Sequence, residues 1–295
     1  MAAFTYDALG RSGRLGNQLW QIAATYGLAK EAAATVRLPK WDYRPYFSCP
    51  DEWWGEGGGD SIPAETFACG HIDERQKSYL QCWHYIEGVT DDVRRFFRPS
   101  ELGQKILDNH IALTGQVWLD DIPEDAISLH VRRGDNADLK THPIGTWPLV
   151  TLDYYAAALA HIDPAGTAPV VVFSDDIPWC EVNLDRVMGG RDYVFVREGP
   201  QRDPEYGLGT RYGDQPALDW IDMQLMGRCR HHILANSTYS WWGAFLNEQA
   251  DSKVAYPNHW VGWRIDQFDY RDLMPPYWVE IDNPVHVRHL ERRRR

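Results

Sequence analysis

The chain has few cysteines and no pattern among them. Its five, Cys49, Cys69, Cys82, Cys180 and Cys229, are odd in number and widely separated, with no Cys-x-x-Cys pair. That usage argues against a disulfide framework or a zinc site and for reduced thiols. Long apolar runs are also missing: nothing approaches the ~18 residues of a membrane span, and the N-terminus lacks the charged region and apolar core of a secretory leader. There is no internal repeat and no low-complexity tract. Basic charge is in deficit, with 30 Lys and Arg against 42 Asp and Glu and a formal net charge of −12. Such a balance excludes a general nucleic-acid binder. An anionic ligand would need a local basic pocket, because the field of the whole protein repels it. The expectation is a cytoplasmic protein with no integral membrane segment. Residues 286–295 run against the acidic trend. This basic tail reads as disordered, with a weak peripheral membrane or partner contact as the alternative.

Tryptophan is abundant, with 14 in 295 residues. Its broad apolar face suits sugar rings, yet most tryptophans belong to cores. The length allows one large domain or two of roughly 150 residues. In the second half, apolar strand-like runs at 127–132, 170–173, 193–196, 232–235 and 253–256 alternate with helical stretches near 153–162, 180–188, 216–229 and 240–249. This alternation implies a doubly wound parallel sheet. The first half opens with a strand at 3–9, a helix over 15–33 and a strand at 36–38, and is partly helical over 74–108. The segment 41–70 is rich in Trp, Gly and Pro and shows no regular period. The acidic stretch 120–125 reads as a linker, giving domains 1–122 and 123–285. Residues 199–215, rich in Gly, Pro and charge, read as a long mobile loop.

Residues 127–135, Ile-Ser-Leu-His-Val-Arg-Arg-Gly-Asp, carry the strongest chemical signal. Period-2 alternation places His130 and Arg132 on one face and Arg133 on the other. Adjacent arginines at the mouth of a buried strand either clamp a phosphate with their forked donors or pair with Asp135. Gly13–Trp20 opens the first helix with glycines that admit a ligand to free N–H groups, or that merely join two elements. Ser174, Asp175 and Asp176 end a strand. Their carboxylates suit a base or ribose, a metal, or simple capping of the next helix. Asn236, Ser237, Thr238 and Ser240 lead into another helix and form a phosphate cradle without a Walker lysine. Trp241 and Trp242 fit packing of that helix better than sugar stacking. His130, Arg132, Ser174, Asp175, Asn236 and Ser237 all fall at carboxyl ends of strands, where such sheets bind ligands.

Together these segments resemble the alpha-1,2-fucosyltransferase family, glycosyltransferase family 11. Four blocks match in order: 13–18, 128–135, 173–176 and 222–244. Tyr239 and Asn136 depart from the family's usual Phe and Tyr, which bears on acceptor choice. The resemblance implies a GT-B fold of two Rossmann-like domains with the site in the cleft between them. It implies inverting transfer of L-fucose from GDP-β-L-fucose to the 2-hydroxyl of a terminal galactose, with no metal or other cofactor. Carried onto this chain, Arg132 holds the diphosphate with His130 beside it. Asp175 or Asp176 reads guanine or ribose, and Ser237 and Thr238 hold phosphate oxygens. Gly16, Arg133, Asn236 and Ser240 complete the donor contacts, and Asn17 lies near the leaving oxygen or the acceptor. For the base, Asp135 and Asp138 are the carboxylates of the following loop, and a path with no dedicated base is the alternative. Other readings are transfer of a different GDP-linked hexose or deoxyhexose, a metal-dependent enzyme using Asp175 and Asp176, and an inactive glycan-binding protein using the tryptophans of 41–54.

Overall fold

The computed structural model describes residues 2–11, 13–55, 60–61, 79–114, 116–137, 146–197, 211–212, 215–216, 219–262 and 269–284. They fall into two compact units that divide first at Asp120/Asp121, inside the acidic linker.

In the first unit, β1 (Ala3–Thr5) is followed by α1 (Leu15–Glu31), β2 (Thr35–Val36), β3 (Leu38–Pro39), β4 (Trp54–Gly55), β5 (Asp60–Ser61), α2 (Thr90–Phe96) and α3 (Glu101–Thr114). A three-stranded parallel sheet has the order β2-β1-β5, and β3 and β4 pair parallel beside it. The expected strand at 3–9 is thus only three residues long, and that at 36–38 is split at Arg37, whose backbone N–H instead bonds the Phe4 carbonyl. Helix α1 is buried over most of its circumference. Small residues permit this: a Cβ at Gly27 would run into the Tyr85 carbonyl oxygen.

The second unit contains β6 (Ile127–Val131), α4 (Gly134–Ala137), α5 (Leu152–Ile162), β7 (Val170–Ser174), α6 (Ile177–Asn183), α7 (Asp185–Met188) and β8 (Tyr193–Phe195). The strand pair β9 (Arg211–Tyr212) and β10 (Gln215–Pro216) follows in sequence, then α8 (Asp219–Arg228), β11 (His231–Ile233), α9 (Thr238–Phe245), β12 (Val254–Pro257) and β13 (Val279–Ile281). Six strands form one all-parallel sheet in the order β13-β12-β11-β6-β7-β8. The expected doubly wound sheet is present, with β13 as a strand that periodicity did not mark; three residues are too few to show alternation.

All five residues of β6 are buried, the polar ones included. A parallel sheet covered on both faces requires this, so polar side chains on it must be satisfied internally. Ser128 and the neighbouring His232 do so. The Ser128 hydroxyl lies 2.8 Å from Nδ1 of His232, and the Asn247 amide is 3.0 Å from its Nε2. Burial pushes the His232 pKa down to about 3, so the ring is neutral. On the opposite face of the sheet Ile127, Leu129, Val131, Val170, Val172 and Tyr154 form an apolar core with α5.

Two stretches expected in the second domain cluster with the first unit instead; their described residues are 211–212, 215–216 and 219–224 in one and 269–275 in the other. The first is drawn there by aromatic packing. Trp220 stacks on Tyr46 at 5.3 Å and meets Phe47 edge-on, while Tyr43 donates to Asp219 (3.0 Å) and Gln224 to the Phe97 carbonyl (3.0 Å). The remainder of α8 belongs to the second unit. Tryptophan is mainly a core residue here: Trp20, Trp41, Trp220, Trp241 and Trp242 are among those buried.

The reduced-thiol expectation needs one correction. Cys49, Cys180 and Cys229 are buried and free, but Cys82 is disulfide-bonded, so that argument for a cytoplasmic location does not extend to it. Among the described residues no helix is long and apolar enough to cross a membrane. The basic tail and most of the 199–215 loop lie outside the described residues.

Candidate functional site

A doubly wound sheet opens a crevice where its strand order reverses, outside the carboxyl ends of the strands. Here the reversal lies between β6 and β11, which run side by side with Leu129 opposite Ile233. His130 sits near the end of β6, and Asn236 and Ser237 follow β11. Asp175 follows β7, whose Ser174 pairs with Val131.

Strand β6 ends at Val131, one residue short of the 127–132 run expected from the sequence. Arg132 therefore belongs to the turn, and strand alternation does not set its direction. Two carboxylates do: Nη1 donates to Asp175 Oδ2 and Nη2 to Asp135 Oδ1. The Arg132 and Asp175 side chains are 11% and 5% exposed, whereas Asp135 is 33% exposed. The other oxygen of Asp175 accepts the backbone N–H of Arg133 at 2.8 Å. Arg133 turns to a separate partner: its Nε donates to Asp176 at 3.0 Å, and its guanidinium lies 4.2 Å from the centre of the Trp179 ring. Asp176 also caps α6, accepting the Trp179 N–H at 3.1 Å. Helix capping and the Arg132–Asp135 ion pair, the structural readings of these segments, are thus both present.

Gly134 is required by this arrangement. A Cβ there would stand 2.5 Å from Asp175 Oδ2 and 3.4 Å from Arg132 Nη1. His130 is buried, and burial together with the adjacent Arg132 charge pushes its pKa down to about 3. It is therefore a neutral ring, and its Nδ1 has no hydrogen-bond partner among the described residues. The Tyr239 ring lies 5.7 Å away, and the Tyr155 hydroxyl holds the His130 carbonyl at 3.1 Å.

On the β11 side, the Asn236 amide donates to the carbonyls of Pro148 (2.8 Å) and Trp260 (3.2 Å), leaving its buried Oδ1 without a partner among the described residues. Ser237 is the N-cap of α9, accepting the Tyr239 N–H at 3.3 Å, and Thr238 is the first helical residue. Ser240 is buried, with its hydroxyl turned to the carbonyls of Ala235 and Ser237. Trp241 and Trp242 pack edge-on to one another at 4.9 Å inside the unit.

The structure therefore groups His130, Arg132, Arg133, Asp135, Ser174, Asp175 and Asp176 at one end of the sheet, with Asn236–Ser240 following the adjacent strand. Gly16 and Asn17 belong to the first unit, where Asn17 Oδ1 accepts from Gln81 at 2.8 Å. Asp138 lies outside the described residues. A cavity of about 430 Å³ in the first unit, lined in part by Tyr26, Lys30, Arg37, Glu52 and Trp53, contains none of the predicted donor-site residues, though Trp53 belongs to the tryptophan-rich 41–54 segment. Sequence reasoning missed Gly134, Trp179 and Tyr155. Trp179 carried a usable signal, because it stands three residues after Asp176 at the start of a helix and within reach of whatever that carboxylate holds.

Comparison with known proteins places this geometry. The chain is 37% identical to the O-antigen biosynthesis glycosyltransferase WbnK of Escherichia coli over 45% of its length and 38% of that protein's. It is 29% identical to the alpha-1,2-colitosyltransferase of Escherichia coli over 54% of this chain and 48% of that one. It is 24% identical to galactoside alpha-(1,2)-fucosyltransferase 2 of Oryctolagus cuniculus over 82% and 66%. The chain thus spans between 38% and 66% of the length of these relatives. The profile of glycosyl transferase family 11 matches residues 65–282, a region that holds the whole Arg132 cluster and both reversal-point strands, and the chain belongs to that family.

Proposed function

We propose that the chain is an inverting alpha-1,2-fucosyltransferase. In this reading it moves L-fucose from GDP-β-L-fucose to the 2-hydroxyl of a terminal galactose on a glycan. The observation that carries the reading is Arg132, a guanidinium oriented by two carboxylates at the reversal point of a doubly wound sheet in a family 11 chain. Breaking the bond from fucose C1 to the β-phosphate leaves negative charge on a phosphate oxygen. A fixed guanidinium stabilises that charge more in the transition state than in the ground state. The N-terminus of α9, with Ser237 and Thr238, suits the remaining phosphate oxygens. Neutral His130 offers a hydrogen-bonding nitrogen to the sugar or phosphate without adding charge.

Catalysis without a metal fits the same residues. Asp175 and Asp176 each hold an arginine, so using them as ligands would give up both ion pairs. The arginine then takes the charge-neutralising role. Transfer in EDTA, with the anomeric proton of the product followed by NMR, tests both parts: undiminished turnover to an α-linked product from the β-linked donor is expected. Loss of activity restored by a divalent cation, or a β-linked product, would refute it.

A second donor is favoured by one finding, the similarity to an alpha-1,2-colitosyltransferase. Another GDP-linked deoxyhexose would use the same phosphate site. Turnover measured across a panel of GDP-sugars separates the two readings by kcat/KM.

A further inference from the structure

Resting on the reading of this cluster as the donor's diphosphate site, we infer that Arg133 is a second phosphate-binding arm and that Trp179 is the positioning residue that sets it. Arg133 diverges from Arg132 after the strand and settles over the Trp179 ring, its guanidinium carbon 4.2 Å from the ring centre. Its Nε donates to Asp176 at 3.0 Å, and its side chain is 20% exposed. Among the described residues neither of its η nitrogens has a hydrogen-bond partner. The two arginines thus stand on consecutive carboxylates at the end of β7, Arg132 on Asp175 and Arg133 on Asp176.

The ring and the carboxylate hold the guanidinium in a way that leaves those nitrogens available. Cation–π attraction acts on the face of a guanidinium, while its N–H donors lie in its plane. The ion pair uses Nε, the nitrogen nearest the backbone, so the outer fork that matches a phosphate stays open. An arginine that only braced the turn would direct that fork at carbonyls or carboxylates of the protein. Trp179 is itself fixed twice: its backbone N–H is capped by Asp176 Oδ1 at 3.1 Å, and its ring packs against the apolar core of this unit. The other Asp176 oxygen is the one that holds Arg133, so one carboxylate fixes both the ring and the cation above it. A free arginine loses rotamer freedom when it grips an anion. One already held by a ring and a carboxylate loses less.

The test is a double-mutant cycle read by calorimetric titration of the full chain with GDP. Arg133→Ala is expected to weaken GDP binding about tenfold or more, the scale of a lost charged hydrogen bond. Trp179→Met, which still fills apolar space, is expected to weaken it about 3- to 10-fold, and Trp179→Phe, which keeps a ring, by less. In the Arg133→Ala background, Trp179→Met is expected to change binding by less than about twofold, because the ring then has no cation to hold. Steady-state kinetics should show a raised KM for GDP-fucose in Arg133→Ala and in Trp179→Met, with the acceptor KM unchanged. A mere packing role for Trp179 would give losses that add, and additive losses would overturn the inference. An Arg133→Ala variant that binds GDP as tightly as the parent chain would also overturn it, while leaving the reading of Arg132 in place. A parent chain that does not bind GDP would overturn both.

Discussion

Gly134 shows how much of the site depends on one missing atom. A methyl group there must push Asp175 aside, since the gap to its carboxylate oxygen is 2.5 Å. Overpacking of this kind costs about 1–3 kcal/mol, and the displaced carboxylate no longer aims Arg132. Gly134→Ala is therefore expected to lower the melting temperature modestly and kcat/KM by about tenfold or more, the scale of a disturbed charge-stabilising donor; steady-state kinetics beside thermal unfolding checks this. The two buried histidines make a separate prediction about pH. His130 and His232 both have pKa values pushed down to about 3 by burial, against about 6.5 in the unfolded chain. Below pH 6.5 the unfolded chain takes up protons that the folded one refuses. Stability is thus intact above that pH and falls through the window from about 6.5 down to about 3. The slope is about 1.4 kcal/mol per pH unit for each such histidine. Urea midpoints between pH 7.5 and 5 should show the decline, and His130→Gln should reduce it. An equal slope in that variant would contradict a neutral buried His130.

At the scale of elements, the site is built where β6, β7 and β11 end and α6 and α9 begin. Ser237 caps α9 through the Tyr239 N–H and faces the reversal point. Ser237→Ala is expected to cost about 1 kcal/mol of stability as a lost cap. If the hydroxyl also holds phosphate, KM for the donor rises while the acceptor KM stays put, a split that capping alone would not produce. Most of this element plan was legible in the sequence. The continuous apolar run Val170–Phe173 and the alternating strand–helix pattern mark a parallel sheet, and observed helices such as α5 begin within a residue of the expected ones. Three things were not legible. Strand β6 stops one residue early, where Arg132 is captured by Asp135 in the following turn and by Asp175 far along the chain, which no local period encodes. Strand β13 is too short to show a period. The return of 219–224 to the first unit rests on Trp220 meeting Tyr46 and Phe47, a contact spanning more than 170 residues. In the site itself, residue type singled out the arginine pair but left a phosphate clamp and an ion pair both open. Which carboxylate orients which arginine needed the fold.

For the molecule as a whole, the proposed reaction asks an acidic chain to bind an acidic nucleotide through a few residues. The formal charge of −12 repels GDP-sugars at long range, so affinity must come from close, oriented donors. In the proposed function Arg132 is the foremost of these. The most direct measurement is the rate of fucose transfer from GDP-fucose to a galactose-terminated acceptor by the parent chain and by a folded Arg132→Ala variant, side by side. The expected result is a loss of about 10²-fold or more, the scale of removing one transition-state donor. Near-parental turnover by the variant would contradict it.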